Sequence, residues 1–220
     1  VVYGPSATVM MNLAKRSREK GAAETPVLTL GDPAYRLATA NSSTRANTRL
    51  NLTRLPFSGR ESQWVKEVFG KRGAEAIQLI GAEATEANLR QEIAGRELVH
   101  LACHGMSDDA LGNLFGALAL APGRRTGDPS DDGLLTLAEI YELDLDACEL
   151  AILSACVTNY GPQNQGEGTW SLSRGFLVAG ARRVVASNWV VDDEAGASLI
   201  SYFCSAVAQA REQGTPPDYA

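Results

Sequence analysis

A basic and a nucleophilic side chain, His104 and Cys156, sit 52 positions apart in matching settings. Each closes an apolar run, Leu98-Val-His-Leu-Ala-Cys-His-Gly105 and Ala151-Ile-Leu-Ser-Ala-Cys-Val157, and small or turn-forming residues follow. A thiol attacks a carbonyl as the thiolate. A neighbouring imidazole lowers the thiol pKa and later protonates the leaving amine. The pair is therefore equipped for acyl transfer. Gly105 has no side chain to keep a substrate from its backbone amide, so the amides of Gly105 and Cys156 could together form an oxyanion hole.

A cysteine on an apolar strand is usually a small hydrophobe, which is how Cys103 is read. Cys103 and His104 are neighbours whose side chains point opposite ways in a strand, so only one reaches the active edge. Gly105 is taken to mark the strand end, which favours His104. His100 lies mid-strand, where a histidine is more often a hydrogen-bonded support than a base. His100, Cys103, His104 and Cys156 are also zinc-type ligands, but no Cys pair accompanies the His100-x3-His104 spacing. No metal or cofactor is expected. Neither a Gly-x-Ser-x-Gly elbow nor a phosphate loop is present.

The elements that must position these residues alternate between strand and helix. Strands are expected at Pro26 to Gly31, Ala76 to Ile80, Glu97 to Cys103, Phe115 to Leu120, Glu149 to Ala155 and Arg183 to Ser187. Helices are expected from Ser58 to Phe69, from a Thr85 cap to Ile93, from a Thr136 cap to Leu143, from Trp170 to Ala179 with Gly180 as the stop, and from Asp192-Asp-Glu194 to Gln209. Strands apolar on both faces belong to mostly parallel, helix-covered sheets, whose chemistry gathers at the carboxyl ends of the strands. The expected fold is a three-layer α/β/α sandwich with a mostly parallel central sheet. The polar stretches 36–54 and 122–132 read as loops, either passive or concerned with activation or substrate docking.

Bulk properties narrow the class. A chain of 220 residues with 45% hydrophobic content can form one domain with a real core. The net charge of −6 argues against a nucleic-acid or anionic-membrane surface. There is no apolar run of membrane-spanning length and no signal-peptide pattern. Four cysteines are too few for a disulfide scaffold of this size, so reduced thiols in a cytoplasmic protein are expected. The first residue is not Met and the end, Gly214 to Ala220, closes no element, so the chain reads as a piece of a longer protein.

With these residues in view, the chain resembles the CHAT-domain peptidases of the caspase-like and separase-like clan, from about Ser58 onward. The resemblance rests on Glu97 to Gly105, Asp132-Gly-Leu-Leu-Thr-Leu-Ala-Glu-Ile140, Leu150 to Cys156, Gly166-Glu-Gly168, and Gly175 to Trp189. The His-to-Cys spacing also matches the caspase arrangement. The resemblance implies a caspase-like cysteine endopeptidase acting on a protein substrate. His104 would be its general base and acid, Cys156 its nucleophile, and the Gly105 and Cys156 amides its oxyanion hole. It further implies that Ser187, Asn188 and Trp189 border the cleft, where substrate could add as an extended strand. Asp192 and Asp193 follow; if Asp193 plays the part that an acid in this neighbourhood plays in the related separases, the enzyme would cut after Arg or Lys, and an ordinary acidic helix start is an equal reading. Regulation by a further domain or a partner protein, and a place in bacterial immunity, are implied as well. The rival readings are an interaction module with an unaligned dyad and a zinc-binding structural module.

Overall fold

The computed structural model describes residues 26–35, 52–71, 73–108, 113–123, 131–164 and 168–214. Most of the polar stretch 36–54, most of 122–132, and Gly166 with Glu167 of the Gly-Glu-Gly motif lie outside the described residues.

Five parallel strands form the central sheet in the order β10-β7-β3-β1-β2. They are β1 (Val27–Pro33), β2 (Ala76–Gly81), β3 (Leu98–Ala102), β7 (Leu150–Ser154) and β10 (Val184–Val185). Side chains alternate between the two faces of a strand, and both faces here are covered. Val27, Leu98, Leu150 and Ile152 pack with Val65, Val68 and Phe69 of α1 (Pro56–Gly70) and with Ile200, Cys204 and Val207 of α5 (Asp193–Glu212). Leu28, Leu30, Val99, Leu101 and Leu153 point the other way. They meet Leu89 and Ile93 of α2 (Glu86–Ile93), Leu137 and Ile140 of α3 (Leu137–Ile140), and Phe176 of α4 (Leu172–Val178). The three-layer sandwich expected from the apolar runs is the architecture found.

Helix starts follow local chemistry. Thr85 accepts from the Asn88 amide, Thr136 and Glu139 form a capping box, and Asp192 accepts from the Ala195 amide. Helix α4 begins later than its apolar pattern suggests, because Ser171 caps it. Gly180, at φ 126°, follows its end as expected.

The larger departure lies at the first motif. Strand β3 stops at Ala102, Cys103 bends, and His104 opens a separate strand, β4 (His104–Met106). Gly105 therefore marks no strand end. Strand β4 pairs antiparallel with β5 (Ala117–Ala119), which pairs with β6 (Leu134–Thr136), so a second sheet carries the histidine. Strand β5 lies within the strand expected at Phe115 to Leu120, whereas β4 and β6, at three residues each, are too short to display a period in sequence. A further two-stranded ribbon, β8 (Gln163–Asn164) and β9 (Gly168–Thr169), lies in a stretch that reads as loop.

Candidate active site

Strands β3 and β7 are parallel neighbours, with Ala102 opposite Ser154, so their continuations leave the sheet at the same edge. One continuation carries Cys103 and His104, the other Ala155 and Cys156. The Cys103 amide donates to the Ser154 carbonyl at 3.3 Å, extending the pairing by a step. The two chains then meet at Gly105. A Cβ added there would lie 2.2 Å from the Cys156 carbonyl oxygen and 3.2 Å from the Cys156 nitrogen. Only glycine allows this approach, which holds the backbones of His104 and Cys156 side by side.

His104 is held at three points. Its Nε2 lies 2.8 Å from the Thr53 carbonyl oxygen. A carbonyl can only accept, so Nε2 carries the proton and Nδ1 keeps the lone pair in the neutral ring. The His104 amide donates to the Tyr35 hydroxyl at 3.2 Å, and the two rings stand 5.2 Å apart, tilted by 44°. Burial raises the Tyr35 phenol well above its ordinary pKa, so it remains a neutral prop.

Cys156 is partly buried. Its Sγ accepts from the Val191 amide at 3.3 Å, and the Val191 carbonyl lies 3.7 Å away. The next residue, Val157, sits at φ 50°, a turn that a β-branched residue rarely adopts. Its amide is tied to the Trp189 carbonyl at 3.2 Å, and the Asn159 amide to the Ser187 carbonyl at 2.8 Å. The Ser187 amide in turn donates to Thr158 Oγ1, and the Asn159 side chain donates to Asn188 Oδ1. The segment 187–189 thus braces the cysteine turn through much of its own backbone. The Trp189 side chain is exposed, as is that of Val190.

Asp192 is the cap of α5. Asp193 reaches across to α1, where its Oδ2 accepts from the Phe57 amide at 3.0 Å. Burial raises its pKa, and the Phe57 and Ser58 amides oppose that shift. The acidic pair therefore serves two helix N-termini, close to the thiol's Val191 contact.

Beneath the site lies a buried polar network that the sequence does not announce. Thr29 Oγ1 donates to Ser62 Oγ at 3.0 Å and lies 2.8 Å from His100 Nδ1, which must then donate to it. His100 Nε2 is 2.7 Å from Glu61 Oε1, and Ser154 Oγ donates to Glu61 Oε2 at 3.0 Å. One proton shared between His100 and Glu61 leaves the pair with no net charge, whichever atom holds it. That suits a site where His100 is fully buried and Glu61 nearly so. Both His100 nitrogens are committed to hydrogen bonds. Among the described residues, no three His, Cys, Asp or Glu side chains are grouped to hold a metal ion. Cys103 is core: burial, with Glu61 and Cys156 nearby, pushes its thiol up to about 12. All four cysteines are free thiols.

The structure thus brings His104, Gly105, Cys156 and the 187–193 segment together, and sets His100 and Cys103 behind them. Thr53, Tyr35, Val191 and Glu61 are additions. Among the described residues no helix is long and apolar enough to cross a membrane. A family model described as "CHAT domain" matches residues 1–219. No curated protein matches the chain.

Proposed function

We propose that this chain, which belongs to the CHAT-domain family, is a cysteine endopeptidase working through His104 and Cys156. The observation that carries the reading is the contact of Gly105 with the Cys156 backbone, which keeps the backbones of His104 and Cys156 adjacent at one edge of the sheet. His104 Nδ1 takes the thiol proton, and Sγ attacks the scissile carbonyl carbon. The carbonyl electron pair moves onto oxygen, where the amides of Gly105 and Cys156 receive it. The C–N bond then breaks as His104 gives its proton to the leaving amine. A water molecule, deprotonated by His104, attacks the thioester, and the C–S bond breaks to release the acid and restore the thiol. The reaction needs no cofactor.

Substrate lies extended along Ser187, Asn188 and Trp189 in this reading, with Trp189 offering an exposed aromatic face. Asp193, beside the cleft with Asp192, favours Arg or Lys before the cut. The substrate is a protein, and a further domain or a partner protein controls access to it. A role in bacterial immunity follows from the family resemblance alone.

Cleavage of a peptide library tests the reading. The wild-type chain should cut it, and Cys156→Ala and His104→Ala should each remain folded and inactive. Cleavage that persists in Cys156→Ala overturns the mechanism. A folded wild-type chain that cuts nothing, alone or with candidate partners, favours an interaction module instead.

A further inference from the structure

The carbonyl that orients His104 belongs to residues 52–55, which lead into α1. Such a segment has no ladder of its own to fix it, yet a hydrogen bond of 2.8 Å demands a fixed carbonyl. The tie comes from the next residue. Arg54 grips Asp32 with its guanidinium: Nε lies 2.9 Å from Oδ1 and 3.0 Å from Oδ2, and Nη2 lies 2.5 Å from Oδ2. Asp32 is itself immobilised. It sits at the carboxyl end of β1, at an irregularity in the pairing with β2 and at φ 45°, with its carboxylate nearly buried. Its amide donates to Ser58 Oγ at 2.8 Å, and Ser58 Oγ donates to the Leu55 carbonyl at 2.7 Å. Asp32 therefore holds this segment on both sides of the Arg54–Leu55 peptide.

We infer that Asp32 and Arg54 are positioning residues for His104, acting through the Thr53 carbonyl to fix the imidazole tautomer and ring plane. The inference deepens the peptidase reading and rests on it for its catalytic consequence. Arg54 is largely exposed, so solvent screens much of what the pair could contribute to stability. Its effect falls instead on geometry, where a small misplacement of a catalytic group can cost on the order of 10²-fold in rate. The same β1 exit also supplies Tyr35, which touches the His104 amide and ring directly.

The chain has only two histidines, His100 and His104, so ¹⁵N-histidine labelling reports two imidazoles. The test compares wild type, Asp32→Asn and Arg54→Ala by imidazole ¹⁵N NMR, thermal unfolding, and peptide-cleavage kcat and KM. Asparagine tolerates the left-handed backbone of Asp32. The exposed Arg54 side chain can be truncated without disturbing the core, so Arg54→Ala keeps the test open should Asp32→Asn fail to fold. Wild type should show His104 protonated at Nε2. Both variants should shift His104 toward mixed tautomers while leaving His100 and Tm unchanged. Their kcat should fall by an order of magnitude or more with little change in KM. Variants that keep both the wild-type His104 signal and the wild-type kcat overturn the inference. Failure of the peptidase reading would register separately, as cleavage by Cys156→Ala or none by wild type, and the NMR comparison stands in either event.

Discussion

Gly105 and Cys156 touch backbone to backbone, and this contact joins two sheets of different kinds. Strand β7 delivers Cys156 from the parallel sheet, while β4 delivers His104 from the small antiparallel one. The backbones that carry His104 and Cys156 thus meet across a seam, and the seam closes only where a side chain is missing.

Gly105→Ala places a methyl group 2.2 Å from a carbonyl oxygen, and a backbone atom cannot swing aside as a side chain can. The strands must separate. Cleavage should fall by about 10²-fold or more, while circular dichroism still reports the α/β fold. Wild-type kcat in this variant would show that the seam does not set the dyad.

Glu61 bridges His100 and Ser154 out of solvent. Glu61→Ala leaves both partners buried and unmatched, at a cost of about 3–5 kcal/mol. Glu61→Gln can donate to one and accept from the other, and should cost much less. Denaturant unfolding of the two variants measures the difference, and equal losses would contradict the proton arrangement described above.

Asp193 links α5 to the first turn of α1 through the Phe57 amide. Asp193→Ala should therefore lower stability by about 1 kcal/mol, the usual cost of a lost helix cap. If the carboxylate also meets substrate, the same variant should lose its preference for Arg or Lys in a library resolved at the residue before the cut. An unaltered cleavage pattern removes Asp193 from substrate recognition and leaves it a structural tie.

Glu86 opens α2 fully buried, with Oε1 accepting from the Gly133 and Leu134 amides at 2.7 and 3.1 Å. Burial pushes its carboxyl up to about 8, against the pull of the Gly133 amide. The folded chain keeps this proton where the unfolded chain has lost it. The Glu86 contribution is thus fully present below the ordinary carboxylate pKa and is lost as pH rises to about 8. Glu86→Gln should flatten that decline in a series of unfolding curves. A variant with the wild-type pH slope would assign the decline elsewhere.

The parts legible in sequence are those written in side-chain pattern. Val27 to Leu30, Leu98 to Leu101 and Leu150 to Leu153 announce a doubly covered sheet, and Thr85, Thr136 and Gly180 mark helix ends by local chemistry. His104 and Cys156 stand out by residue type. Thr53 and Val191 do not, because one acts through its carbonyl and the other through its amide, groups that every such residue carries. The partnership of Glu61 with His100 spans 39 positions and depends on how α1 lies across β3, which no local pattern encodes. The break at Cys103 was hidden for a related reason: an apolar run reads the same whether it stays in one sheet or passes into a second.

Activation of Cys156 as a nucleophile by His104 is open to direct chemical test. Its most direct measurement is the site and rate of covalent capture by a peptidyl acyloxymethyl ketone, read by intact mass and peptide mapping. Wild type should give a single adduct on Cys156, Cys156→Ala none, and His104→Ala sharply slower capture. An adduct on Cys103, Cys148 or Cys204, or capture at an unchanged rate without His104, would contradict that activation.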